Sequence, residues 1–186
     1  MSSFSYLWVT PTFEPDSASW EDGALKLGVA KYRVPVLWVA LMDASGPRRM
    51  VDDDVVFASP MAEGIARLRA RVERLASWLT GVDVGGYAAH LATLLEQEQE
   101  DEDDWIMLDI SEVAGMVGDE VHNIERSLAW LDGDDQVDPA SSLHELSGLS
   151  PATALPPAGE GLEDACSHDE WEDVISLMGA GEDWWE

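Results

Sequence analysis

Ile65-Ala66-Arg67-Leu68-Arg69-Ala70-Arg71-Val72-Glu73-Arg74-Leu75-Ala76-Ser77-Trp78-Leu79 is where the chain changes its period. Ile65, Leu68, Val72, Leu75 and Leu79 recur at spacings of 3, 4, 3 and 4, which lines one face of an amphipathic helix ended by Gly81. Upstream of Pro60 the apolar residues come instead in short aromatic and β-branched runs. Phe4-Ser5-Tyr6-Leu7-Trp8-Val9-Thr10 stops at Pro11 and predicts a strand. Residues 25–29 and Val55-Val56-Phe57 predict shorter strands. Val34-Pro35-Val36-Leu37-Trp38-Val39-Ala40-Leu41-Met42 predicts a longer one, with Pro35 at its start or on an edge. Residues 11–23 read as a loop and Gly46-Pro47 as a turn.

Downstream, Gly85-Gly86 breaks the chain, and Tyr87, Leu91, Leu94 and Leu95 mark a second helix. Trp105-Ile106-Met107-Leu108-Asp109-Ile110 is either a strand or the lead into a helix. Ser111 is a plausible N-cap, after which Ala114, Val117, Val121, Ile124, Leu128 and Leu131 step by 3, 4, 3, 4 and 3 to Asp132-Gly133. Asp138-Pro139 opens a shorter helix through Leu146. The pattern defines an α+β chain: a small, mostly antiparallel N-terminal sheet (residues 4–58) packed with a helical C-terminal half (helices 60–146) in a domain of residues 1–149. Residues 150–161 have the Pro/Gly composition of a linker. Residues 162–186 follow as an acidic helix, announced by the capping box Ser167-His168-Asp169-Glu170, and a tail ending in Trp184-Trp185-Glu186.

Charge is distributed as unevenly as period. The net charge is −28, yet residues 1–74 hold nine Lys/Arg against ten Asp/Glu, while residues 75–186 hold Arg126 alone against twenty-eight acids. The extreme is Glu96-Gln97-Glu98-Gln99-Glu100-Asp101-Glu102-Asp103-Asp104, seven carboxylates in nine residues. Ionised carboxylates are too costly to desolvate unpaired, so this run is expected to stay in water or face something positive. Such a surface argues against nucleic-acid or anionic-membrane partners. With 46% hydrophobic residues and nine tryptophans, the composition also argues against disorder.

The chemistry-bearing residues are few. Cys166 stands alone, so no disulfide framework is expected. The N-terminus shows no secretory signal and no apolar run reaches spanning length, which together predict a cytoplasmic protein. His90, His122, His144 and His168 have no zinc-ligand spacing, and His122 reads as a satisfied core residue. Asp52-Asp53-Asp54 and Asp132-Gly133-Asp134-Asp135 lack the spacing of a calcium loop, and surface turns are the simpler reading. The stripe Arg67, Arg71 and Arg74 either binds an anion or neutralises the chain's own acids. No catalytic residue, cofactor or metal ligand is assigned. The candidate partner-binding residues are Glu96, Glu98, Glu100, Asp101, Glu102, Asp103 and Asp104 in the run, and Asp169, Trp171, Glu172, Asp173, Trp184 and Trp185 in the tail.

Four short motifs carry a family resemblance: Ser5-Tyr6-Leu7-Trp8, Tyr32-Arg33-Val34-Pro35, Ile65-Ala66-Arg67-Leu68 after Gly64, and Trp105 to Ile110. Over roughly residues 4–115 the chain resembles an uncharacterised group of bacterial proteins thought to be immunity or antitoxin-like partners of polymorphic toxins. The resemblance implies a cytoplasmic protein-binding role and transfers no catalytic residue. Charge and resemblance together lead to the expectation of an acidic inhibitor, an immunity protein whose partner is a basic bacterial toxin domain. A nucleic-acid mimic and a metal-dependent hydrolase built on the two aspartate clusters are the alternatives.

Overall fold

A computed structural model describes residues 3–17, 22–117, 119–181 and 184. Five strands form one antiparallel sheet: β1 (Phe4–Thr10), β2 (Leu25–Lys31), β3 (Arg48–Val51), β4 (Asp54–Pro60) and β5 (Trp105–Asp109), in the order β2-β1-β5-β4-β3. The helices are α1 (Val36–Leu41), α2 (Met61–Trp78), α3 (Val84–Glu98), α4 (Ser111–Val117), α5 (Glu120–Leu131), α6 (Leu143–Ser147), α7 (Leu162–Ala165) and α8 (His168–Met178), with a 3₁₀ turn at Pro139–Ser141. The chain is α+β, as its periods predict. The sheet is not confined to residues 4–58, however. β5 comes from the helical half and lies at the sheet's centre, joining the β1–β2 and β3–β4 hairpins.

Alternation sorts the two faces. Leu7, Val9, Phe57, Ile106 and Leu108 enter the main core beneath the helices. Val56, Ala58 and Met107 point the other way, where Trp8, Phe13, Ala24 and Trp105 build a smaller cluster. Strand β3, Arg48-Arg49-Met50-Val51, carries no hydrophobic alternation and is not among the strands expected from sequence. It forms because Asp52 adopts φ 55° in the two-residue turn between Val51 and Asp54, a left-handed conformation that aspartate tolerates better than most residues.

Residues 34–42, expected as a strand, instead enclose α1, and all six residues of this helix are buried. A helix covered on every side has no polar face and hence no period to read. It is packed against α2, α5, α6, α8 and β5. The single helix expected after Ser111 is two, α4 and α5, with α5 starting after Asp119.

The stretch 150–161 does not hang free as a linker. Ala154 bridges Gly81, the Leu155 amide donates to the Gly81 carbonyl (3.3 Å), and the Tyr87 hydroxyl donates to the Pro156 carbonyl (2.8 Å). Beyond it, Leu162, Val174, Leu177 and Met178 belong to the main core, so the acidic helix is part of the same packed body. Ala180 then pairs with Val29 on the outer edge of β2, through hydrogen bonds of 2.9 and 3.0 Å.

Candidate partner-binding surface

The acidic run closes α3 and leads into β5. Glu96 pairs with Arg69 across to α2 at 2.6 Å, while Glu98, Glu100, Asp101, Glu102 and Asp103 are exposed and make no ion pair among the described residues. Asp104 overturns the expectation that the whole run stays in water, being only 3% exposed. Its Oδ2 accepts the amides of Glu100 (2.8 Å) and Asp101 (3.0 Å), and its carbonyl accepts the first amide of α2, from Met61 (2.8 Å). Charge-assisted bonds from backbone N–H groups replace the lost water. Asp104 folds the run into a tight loop and leaves four consecutive carboxylates, Glu100 to Asp103, on its outside.

On α8, Asp169 and Glu172 are exposed and Asp173 is half-buried. Burial pushes the Asp173 carboxyl up, partly opposed by the Arg33 guanidinium. The capping box forms as expected, and the Ser167 amide and hydroxyl hold Glu170 below the usual carboxylate range. The tryptophans correct the sequence reading. Trp171 packs half-buried against the core, and Trp184 is only 8% exposed, so neither is a free interface anchor. Trp184 lies over Gly28, where an added Cβ would come within 2.7 Å of both the Trp184 and Trp38 rings. Its carbonyl is hydrogen-bonded to His90 Nε2 at 2.8 Å. Trp185 lies outside the described residues.

Much of the positive charge is committed. Among the described residues, six of the ten Lys/Arg form ion pairs: Arg48 with Glu125, Arg49 with Asp54, Arg67 with Asp43 and Glu63, Arg69 with Glu96, Arg71 with Asp132, and Arg74 with Asp135. The arginine stripe of α2 is therefore internal wiring. Arg71, 4% exposed, donates to Asp132 through Nε (3.0 Å) and Nη2 (2.6 Å), and to the carbonyls of Ala40 (2.9 Å) and Met42 (2.7 Å) at the end of α1. A cation at a helix C-terminus satisfies carbonyls that have no partner within the helix. Arg74 stacks on Trp130, 4.7 Å from its ring centroid, and donates to the Trp130 carbonyl.

Both aspartate clusters are thereby accounted for: Asp52 and Asp53 form the hairpin turn, Asp54, Asp132 and Asp135 are arginine partners, and Asp134 Oδ1 accepts the Gln136 amide at 2.9 Å. Among the described residues no group of three or more His, Cys, Asp or Glu is arranged to hold a metal ion. His122 is exposed rather than in the core. Burial and the Glu170 carboxylate push the Cys166 thiol up, which suppresses the thiolate a nucleophile needs.

One site escaped the sequence reading. On the sheet face opposite the main core, beside the start of α4, Tyr6, Trp8, Lys26, Asp54, Asp109, Ser111 and Glu112 line a cavity of about 320 Å³. Tyr6 pairs with Asp109 across β1 and β5, which places the phenol beside the carboxylate. The Tyr6 hydroxyl donates to Glu112 Oε1 and the Phe4 amide to Oε2, both at 3.0 Å. Burial and this carboxylate push the phenol up to about 12. Asp109 is 7% exposed; its Oδ1 accepts from the Ser111 hydroxyl (2.5 Å) and amide (2.9 Å), and burial raises its carboxyl despite those bonds. Lys26 Nζ stands 5.3 Å from the Tyr6 ring centroid and 5.8 Å from that of Trp8. The available signal was the run of aromatics at alternate positions 4, 6 and 8, which puts three rings on one strand face.

No family model, curated protein or solved structure matches this chain. Among the described residues no helix is long and apolar enough to cross a membrane.

Proposed function

We propose that this protein is an acidic inhibitor that binds a basic protein partner, and that it acts as a cytoplasmic immunity protein occluding the basic active-site cleft of a toxin. The observation that carries this reading is the mismatch in charge commitment. Six arginines are drawn into ion pairs within the fold, while Glu98, Glu100, Asp101, Glu102 and Asp103 stand exposed and make no ion pair among the described residues. A concentrated negative potential of this kind accelerates capture of a cationic surface and discriminates against anionic ones. Clefts that bind nucleic acid or nucleotides are positively charged, and an inhibitor must reach them before substrate does.

Co-expression with the product of the neighbouring reading frame tests the proposal. Protection of growth, together with an association rate that falls steeply as salt shortens the Debye length from ~10 Å at 0.1 M to ~3 Å at 1 M, is the expected outcome. No protection, or a rate indifferent to salt, would reject it. A nucleic-acid mimic, by contrast, would inhibit several unrelated DNA-binding proteins instead of protecting against one toxin.

A further inference from the structure

We propose that the cavity on the open face of the sheet, walled by Tyr6 and Trp8 and floored by Asp109, receives a guanidinium side chain of the basic partner. The inference rests on the basic-partner reading above and deepens it by naming a recognition pocket.

The acceptors in the cavity are distributed unevenly. Both oxygens of Glu112 are engaged, by the Tyr6 hydroxyl and the Phe4 amide. Both hydrogen bonds to Asp109 fall on Oδ1, and the Arg49 bond to Asp54 falls on Oδ2. Among the described residues, Asp109 Oδ2 and Asp54 Oδ1 thus keep acceptor capacity in a cavity whose carboxylates outnumber its single lysine. An anion would meet three carboxylates here. A metal ion would find most of the oxygens already held by protein donors. A planar cation with several N–H groups fits better: it can donate to carboxylates on adjacent strands while stacking on an aromatic ring.

Lys26 supplies the second, independent observation. Its ammonium stands over Tyr6 and Trp8, so this face already holds a cation from the chain itself. Lys26 is exposed and sits on β2 next to the sheet's edge, where an incoming side chain would displace it. It acts as a resident competitor. Removing it should therefore strengthen binding, a sign that a purely structural lysine would not give.

Argininamide is the probe, titrated into the full chain and followed by backbone amide NMR, with citrullinamide as the control that keeps the α-amino group but has an uncharged ureido side chain of the same shape. Saturable shifts confined to Tyr6, Trp8, Asp109 and Ser111, half-complete on the order of 1 mM, are expected with argininamide alone. Asp109→Asn should weaken this at least tenfold, and Lys26→Met should tighten it several-fold. Asparagine keeps an Oδ1 that can accept from Ser111, so the first variant retains the local hydrogen bonds. Equal shifts with citrullinamide, or an unchanged affinity in both variants, would overturn the proposal. The two readings fail separately. A pocket that binds argininamide in a protein that protects against no toxin sinks the immunity reading alone. A toxin complex and a protective effect untouched by Asp109→Asn, with no argininamide binding, sinks the pocket alone.

Discussion

Around α2 and the β3–β4 hairpin, arginines and carboxylates face one another across element boundaries; between α3 and β5, Glu100 to Asp103 are exposed and make no ion pair among the described residues. The difference is one of topology as much as composition. Apart from the Arg67–Glu63 pair within α2, these arginine pairs tie separate parts of the chain together, as when Arg71 ties the end of α1 to the residue that follows α5. The acidic run is tied to α2 only at its ends, by the Glu96–Arg69 pair and by the Met61 amide on the Asp104 carbonyl, and Glu100 to Asp103 between them make no ion pair among the described residues. Net charge counts both regions alike, but in the second the carboxylates of Glu100 to Asp103 are left without an ion pair among the described residues.

The contrast is broken most severely at Arg71. Replacing it with methionine leaves the Ala40 and Met42 carbonyls buried without donors and should cost about 3 kcal/mol, read from the urea midpoint. A loss under about 1 kcal/mol would mean the wired region is no better stitched than the loop. Trp184→Ala comes next, at about 2–3 kcal/mol, because it empties the site over Gly28. An unchanged melting temperature would return this tryptophan to the list of free interface anchors.

Asp109→Asn gives a smaller, pH-dependent effect. Its carboxyl is raised in the folded state, so the native protein binds the proton more tightly than the unfolded chain. Stability contributed by this group is fully present below the ordinary carboxylate value of ~4 and is lost as pH rises through the raised one. Asp54, Glu112, Lys26 and Tyr6 face the same cavity and are unchanged in the variant. The difference between the two unfolding curves should therefore grow with pH across that window in favour of asparagine; parallel curves would refute it.

The smallest effect on stability belongs to the loop. Neutralising Glu100, Asp101, Glu102 and Asp103 together as amides should shift unfolding by no more than about 0.5 kcal/mol. The same change should slow association with a basic partner by about tenfold. A large destabilisation would show that the loop is wired after all.

Much of this architecture can be read from the chain. The 3-4 spacing from Ile65 to Leu79 and the alternation from Phe4 to Thr10 each report a surface that is half dry, and both elements form where expected. Residues 36–41 are dry all round, so neither period survives and their β-branched content points the wrong way. In residues 150–161 composition misleads: Pro and Gly suit a linker, yet the backbone groups of Ala154 and Leu155 find partners at Gly81. For the site, the charge was legible but its pairing was not, since Asp132 lies 61 residues from Arg71. The cavity needed the register between β1 and β5, which no local pattern encodes.

The central position of β5 has a consequence for how the protein is made. A ribosome releases the chain from its amino end, so both hairpins are synthesised long before the strand that unites them. Two-stranded ribbons are marginal in water, and each would wait with one edge unsatisfied until residue 109 emerges. Nascent chains arrested before that point should remain protease-sensitive throughout, and protection should appear only after Trp105–Asp109 has cleared the exit tunnel.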